Sequence, residues 1–510
     1  MKIVTFRQMI SCAAVVCTMS LFTSCDEVMS KMDNPVSSYL AVSESNVVVP
    51  TGDTYQIQAT TINSDSPVTY KSSDETVATV DANGVVTGVA DGEAVITVAV
   101  AASPYYQEGT KEVKVAVKRP LTFEALEDGQ INVVYRNGIT LDKPIVYSVN
   151  KGEQKKITAT ASIPVKKGDR VEFESANDHT GDFGFYGSEE FGYKTDQYVS
   201  LQPRMRCAVF GNVMSMITPD GNYHTNKTIT KPYALQHLLY NSPAYTSAGV
   251  LYYTESHDKY DLLLPATKLT TKCYAQILCN AAITRAPKLP ATELAPYCYT
   301  QLFYNCTKLE KAPELPATTA PSNCYNGMFF QCESLTEAPA VLPATTLEES
   351  CYMSMFYGCK SLTEGPALPA TTLANSCYSG MFAGCYALKK APDLPATKLA
   401  SNCYQSMFGV CRSLTEAPEL KAETLPSGCY SSMFHNCTKL SKVTCLAKEM
   451  AGNVNPLYRW LYNTGTDASV TTRTFIRNTA NNSWKDSNES SYFTLQWHVP
   501  ANWTITPTIE

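Results

Sequence analysis

From Tyr39 onward, apolar and polar residues alternate with the period of half-buried strands. In "TYQIQAT", Tyr55, Ile57 and Ala59 fall on one face and Gln56 and Gln58 on the other. The run "VTYKSSDETVATVDANGVVTGVADGEAVITVAV" sets turn residues between short β-branched stretches, and its Asn83-Gly84 and Asp91-Gly92 pairs predict hairpin turns. A small antiparallel sandwich over residues 39–118 follows. Its Asp74, Glu75, Asp81 and Asp91 fall in turns without the dense spacing of a calcium loop, so they read as solvated turn carboxylates. Alternation resumes over 119–225. There "PIVYSVNKGEQKKITATASIPVKKGDRVEF" reads as three strands punctuated by Lys151-Gly152 and Lys167-Gly168, predicting a second β-rich domain. Its "DHTGDFGFYGSEEFGYKTD" segment reads as an irregular connection.

After residue 261 the pattern becomes a long-period repeat. Cys-Tyr recurs at Cys273, Cys298, Cys324, Cys351, Cys377, Cys403 and Cys429, at spacings of 25, 26, 27, 26, 26 and 26. The frame is C-Y-x-x-M-F-x-x-C-x-x-L-x-x-A-P-x-L-P-A-T-x-L. Cys377, Met381, Phe382 and Cys385 fall at i, i+4, i+5 and i+8, one face of a short helix, while Pro392 and Pro395 permit only an extended segment. The expectation is a multidomain chain in which two β domains precede an α/β solenoid of about seven 26-residue coils over 262–445, with caps over 226–261 and 446–510. At the upstream edge Ala234 and Ser242 hold the cysteine places, with Leu238-Leu239 at Met-Phe. Downstream, "PLYRWLYNTG" is a degenerate copy, and Trp497 and Trp503 lie in strand-like cover.

The repeats carry a structural ladder of Cys273, Cys298, Cys306, Cys324, Cys332, Cys351, Cys359, Cys377, Cys385, Cys403, Cys411, Cys429 and Cys437, with Cys207, Cys279 and Cys445 off it. Eight helical residues rise about 12 Å, beyond the roughly 4.4 to 6.8 Å between α-carbons of a disulfide. Equivalent cysteines of adjacent coils would lie about 4.8 Å apart, but with parallel side chains. Buried free thiols filling an apolar slot are the reading, with inter-coil disulfides as the alternative. No C-x2-C spacing occurs and the six histidines are scattered, so no metal or other cofactor is expected.

A net charge of -6 excludes the electrostatic footprint of a nucleic-acid binder. No G-x-S-x-G, H-E-x-x-H or phosphate loop is present, so the chain is expected not to be an enzyme. Residues 1–24 read as an export signal and 25–38 as a polar linker. The residues between each repeat's Leu and Ala-Pro would line one face of a solenoid. The candidate binding strip is therefore Arg285, Glu310, Lys311, Glu337, Glu364, Lys389, Lys390, Glu416 and Lys442.

Three stretches resemble known families. "LFTSC" resembles a bacterial lipobox, which implies lipidation at Cys25, and the following Asp26-Glu27 resembles a surface-export signal. The run from Ser72 to Val98 resembles the bacterial Ig-like group 2 domain, with Tyr70 at a core position often held by tryptophan in that family. "SLTEAPELKAETLPSGCYSSMFHNCTKL" resembles the BspA-like leucine-rich repeats of bacterial cell-surface proteins. Together these imply a lipid-anchored protein of the bacterial outer membrane, displayed at the cell surface and touching the membrane only through its lipid. Its expected partner is a host or matrix protein or a glycan. The alternative is a non-catalytic structural or nutrient-capture accessory lipoprotein.

Overall fold

The two hydrophobic patterns of the sequence end in two separate cores, one in a unit ending at Arg119 and one in a unit beginning at Pro120. The structure is a computed structural model that describes residues 35–62, 64–182, 197–240, 253–256, 261–451, 455–487 and 498–507. The expected signal segment, Cys25, Ser242, Trp497 and residues 183–196 of the glycine-aromatic connection lie outside the described residues.

The described residues of the first unit form nine strands: β1 (Tyr39–Val42), β2 (Asn46–Val49), β3 (Thr54–Gln56), β4 (Ala59–Ile62), β5 (Val68–Ser72), β6 (Ala78–Val80), β7 (Val85–Gly88), β8 (Gly92–Val100) and β9 (Gly109–Val117). One sheet runs β2-β9-β8-β5, another β3-β7-β6, and β1 pairs β4. Inward valines and isoleucines of β8 and β9, such as Ile96, Val98, Val113 and Val117, are fully buried. The alternation in "TYQIQAT" holds, with Ile57 buried between exposed Gln56 and Gln58, but the run breaks there so that β3 and β4 pair different strands. Asn83-Gly84 closes the β6–β7 hairpin. Gly84 has φ +81°, and a Cβ there would lie 2.7 Å from the Tyr70 ring, which rests on the turn. The Asp91-Gly92 expectation is corrected: it joins β7 to β8, which lie in different sheets, so it is a crossover rather than a hairpin. Asp74 accepts hydrogen bonds from the Thr76 hydroxyl and backbone N–H, and Asp81 from the backbone N–H groups of Val85 and Asn83, and these bonds hold both carboxyls below the usual carboxylate range.

The second unit opens with β10 (Leu121–Ala125), β11 (Gly129–Arg136), β12 (Ile145–Val149), β13 (Lys155–Ile157), β14 (Ala161–Val165), β15 (Arg170–Ser175), β16 (Gly181–Asp182), β17 (Gln197–Pro203) and β18 (Arg206–Asn212). The three strands expected over 144–173 are four, because "KKITATASIPV" divides into β13 and β14, which join different sheets. Two further strands, β19 (Tyr253–Ser256) and β20 (Leu262–Leu263), pair parallel with β18. One continuous core then runs from Leu121 through every repeat to Trp503.

The repeats hold no α-helix. Among the described residues the only helix is the single 3-10 turn Val213–Met216, which overturns the α/β expectation. In the copy starting at Cys324, the N–H groups of Tyr325, Gly327, Phe329 and Gln331 donate to Cys351, Met353, Met355 and Tyr357 of the next copy at 2.7–2.9 Å. The intervening Asn326, Met328, Phe330 and Cys332 donate three residues back at 3.1–3.2 Å. Every fourth residue has positive φ, here Asn323 (+55°), Gly327 (+59°) and Gln331 (+57°). An α-helix needs negative φ throughout and sends each N–H four residues back within itself. This segment is instead a chain of four-residue turns, each burying an adjacent pair such as Cys-Tyr or Met-Phe, with half its N–H groups bonded to the neighbouring copy. Glycine, asparagine and serine at the positive-φ sites tolerate that conformation and are poor in helices.

The extended parts of each copy run parallel, as in Thr319–Ala320 with Thr346–Leu347. The edges keep the frame. Leu235, His237 and Leu239 donate to Cys273, Ala275 and Ile277, while Tyr430, Ser432 and Phe434 donate to Pro456, Tyr458 and Trp460. A parallel sheet of Lys442–Cys445, Thr474–Arg477 and Thr504–Pro507 follows, and Trp503 is buried beside it.

Candidate functional site

All nine strip residues are exposed, and stacking pairs most of them with a strip residue of a neighbouring copy. Parallel bridges join Arg285 to Lys311, Lys311 to Glu337, Glu364 to Lys390 and Glu416 to Lys442. Glu310 lies one residue aside, its carbonyl accepting from Thr336, and Lys389 donates its backbone N–H to Thr363. Much of the charge is spent between neighbouring copies: Lys311 pairs Glu337 at 2.7 Å, Lys442 pairs Glu416 at 2.5 Å and Arg285 pairs Asp261 at 2.8 Å. The Glu337 carboxylate holds the Lys311 ammonium above the usual lysine range. Such exposed pairs add little stability singly, but their alternation of sign favours one register of copies over its neighbours.

The sixteen described cysteines are buried free thiols. All but Cys207, Cys279 and Cys445 form two inequivalent columns. In the second, each Sγ–H donates to a carbonyl of the preceding copy: Cys332 to Phe303 (3.1 Å), Cys359 to Phe329 (3.1 Å), Cys385 to Phe356 (3.1 Å), Cys411 to Phe382 (3.2 Å) and Cys437 to Phe408 (3.0 Å). Cys306 does the same to Leu278. In the degenerate last copy Thr464 takes this place, its hydroxyl donating to Phe434 at 2.9 Å. Burial pushes the first-column Cys273, Cys351 and Cys403 thiols up to about 12, far from a reactive thiolate. Beside the thiols run two aromatic stacks. Tyr274 through Tyr430 have centroids 5.2–6.1 Å apart, and Phe303 through Phe434 5.4–5.7 Å. These tyrosines are at most 2% exposed, so the residue after each ladder cysteine packs the stack. A third column, Tyr304, Phe330 and Tyr357, reaches the surface, but its rings stack on one another at 5.0 and 4.6 Å.

A cleft of about 580 Å³ opens where the strip begins. Leu262 and Leu263 occupy the frame positions that Pro287 and Lys288 hold in the next copy, yet they pair with Gly211 and Asn212 of β18. The cleft lies between this strand and the Ile283–Pro290 segment. Leu262, Leu263, Leu264, Pro265, Ile283, Ala286, Pro287 and Pro290 form apolar walls with Val209, and Lys227, Thr267, Lys288 and the Asp261–Arg285 pair supply polar groups. Of these residues the repeat pattern marks only Arg285 as a candidate. The rest come from four separated segments, and the one available signal is the triple leucine in a frame where other copies place a proline before the leucine.

Among the described residues, strands and turns with nearly no helix define a mostly β, multidomain protein whose N-terminal unit is an Ig-like sandwich. Residues 39–105 match the bacterial Ig-like domain (group 2) family. The match ends before β9, which completes the larger sheet. No curated protein matches the chain. No helix among the described residues is long and apolar enough to cross a membrane.

Proposed function

We propose that this is a bacterial surface lipoprotein, anchored in the outer membrane through acyl chains on Cys25. In this reading its Ig-like unit is a spacer and its repeats are a BspA-like leucine-rich-repeat solenoid that binds a host or matrix protein or a glycan. No catalytic step, cofactor or nucleic acid takes part. The observation that carries the reading is the exposed strip between Arg285 and Lys442, whose members bridge neighbouring copies in three runs, because extended repeated surfaces suit macromolecular partners. The test is binding of the purified chain from Asp26 onward to arrays of glycans and matrix proteins, with the Ig-like unit, which closes its own core, as control. Saturable binding that weakens when strip residues become alanine is the expected result; a blank array from a folded protein sinks the adhesive reading.

A second reading, a structural or nutrient-capture accessory lipoprotein, draws on the ion pairs Lys311–Glu337 and Lys442–Glu416, which satisfy strip charges inside the stack. A blank array supports it.

A further inference from the structure

We propose that the cleft at the first copy binds an aliphatic carboxylate, with its hydrocarbon body on the leucine and proline walls and its anionic head at Lys227 and Lys288. The inference rests on the binding reading above and names a ligand class for one site of the same stack. Three features select the class. The volume, about 580 Å³, is that of a small-ligand pocket. Among the described residues the walls are aliphatic or proline and hold no aromatic ring, so these walls lack the flat face on which sugars stack. The charged groups among the described residues are predominantly cationic: Lys227, Arg285 and Lys288 stand against the carboxylate of Asp261, which Arg285 already engages at 2.8 Å. Lys227 and Lys288 are exposed and have no ion-pair partner among the described residues, so they are left for an external anion.

The experiment is calorimetric titration of the chain from Asp26 onward with straight-chain carboxylates from butanoate to decanoate, and with octylammonium as the oppositely charged counterpart. One octanoate should bind per chain. Affinity should rise by up to about fourfold per methylene until the walls are covered, the signature of burial rather than of surface ion pairing. Octylammonium should bind about tenfold more weakly or not at all. The double change Lys227→Glu with Lys288→Glu should weaken octanoate about tenfold, while Lys398→Glu, an exposed lysine outside the cleft, leaves it unchanged. The pair Lys227→Gln with Lys288→Gln repeats the test should charge reversal perturb folding. No saturable binding below about 1 mM, a flat chain-length series, or equal binding by the variants overturns the proposal. A positive glycan or matrix array without carboxylate binding overturns this inference alone; carboxylate binding with a blank array overturns only the adhesive reading.

Discussion

Val410 occupies a left-handed position, φ +63°, where equivalent sites of other copies carry Asn305, Gln331, Gly358, Gly384 and Asn436. A β-branched side chain is strained there, whereas asparagine adopts the region readily. Val410→Asn should therefore stabilise the second unit by about 1 kcal/mol, seen as a higher denaturation midpoint; an unchanged or lower midpoint would show that the partly buried valine earns more from packing than its backbone loses. The second cysteine column gives the complementary case. Cys385 both fills space and caps the Phe356 carbonyl at 3.1 Å, and the natural copy at Thr464 keeps the donor with a hydroxyl. Cys385→Thr should cost less than about 1 kcal/mol, and Cys385→Ala about 1–3 kcal/mol, since alanine removes the second of two hydrogen bonds to the Phe356 carbonyl, which keeps only the Cys359 N–H, and leaves a void. Equal losses for both variants would mean that the S–H donor is irrelevant.

At the scale of the element, the four-residue turn explains both what could be read from sequence and what could not. Cys377, Met381 and Cys385 repeat at four, a spacing shared by a helix face and by a chain of turns, so the apolar residues alone do not discriminate. The residues that do are Ser376, Gly380 and Gly384, one before each buried residue and each with positive φ. The repeat length and both degenerate edges were legible because Cys-Tyr and its substitutes mark the frame. The crossovers at Asp91-Gly92 and Lys167-Gly168 were not, since a turn dipeptide does not say which sheet its second strand joins. The turns also bring like positions together across copies. His237 bonds through Nε2 to Gln276, and Gln276 to Gln301, while His237 Nδ1 is buried with no acceptor among the described residues. Burial, abetted by Arg136 and Lys272, lowers the His237 pKa to about 4 despite the bond to Gln276. Because the unfolded chain takes up this proton near pH 6.5 and the folded chain does not, stability is complete above that pH and falls as pH drops toward 4, by about 3 kcal/mol in all. Denaturation midpoints at neutral pH and near pH 4.5 should show that loss, and His237→Gln should remove most of it. An equal acid loss in the variant would assign the effect to other groups.

Across the whole molecule the two units differ most in their thiols. All sixteen described cysteines lie in the second unit, buried in or against the core that runs from Leu121 to Trp503, whereas residues 35–119 contain none. An unfolded thiol ionises near pH 8.5, while burial holds these far higher, to about 12 at Cys273, Cys351, Cys403, Cys437 and Cys445. The folded state therefore keeps protons that the unfolded state releases, so stability is intact below pH 8.5 and declines as pH rises through 9 and 10. Each thiol contributes up to about 1.4 kcal/mol per pH unit, and a handful acting together match the roughly 5–15 kcal/mol of a typical domain. The second unit should consequently unfold cooperatively in mild alkali, with thiolate absorbance appearing in the same step as loss of its circular dichroism, while the Ig-like unit stays folded. At neutral pH a thiol reagent should leave the native chain unmodified at these sixteen positions and label every one of them after denaturation. Fewer labelled thiols would reveal inter-copy disulfides, and thiolate absorbance rising gradually before unfolding would show that the ladders are open to solvent and that the stack is held by its backbone and rings alone.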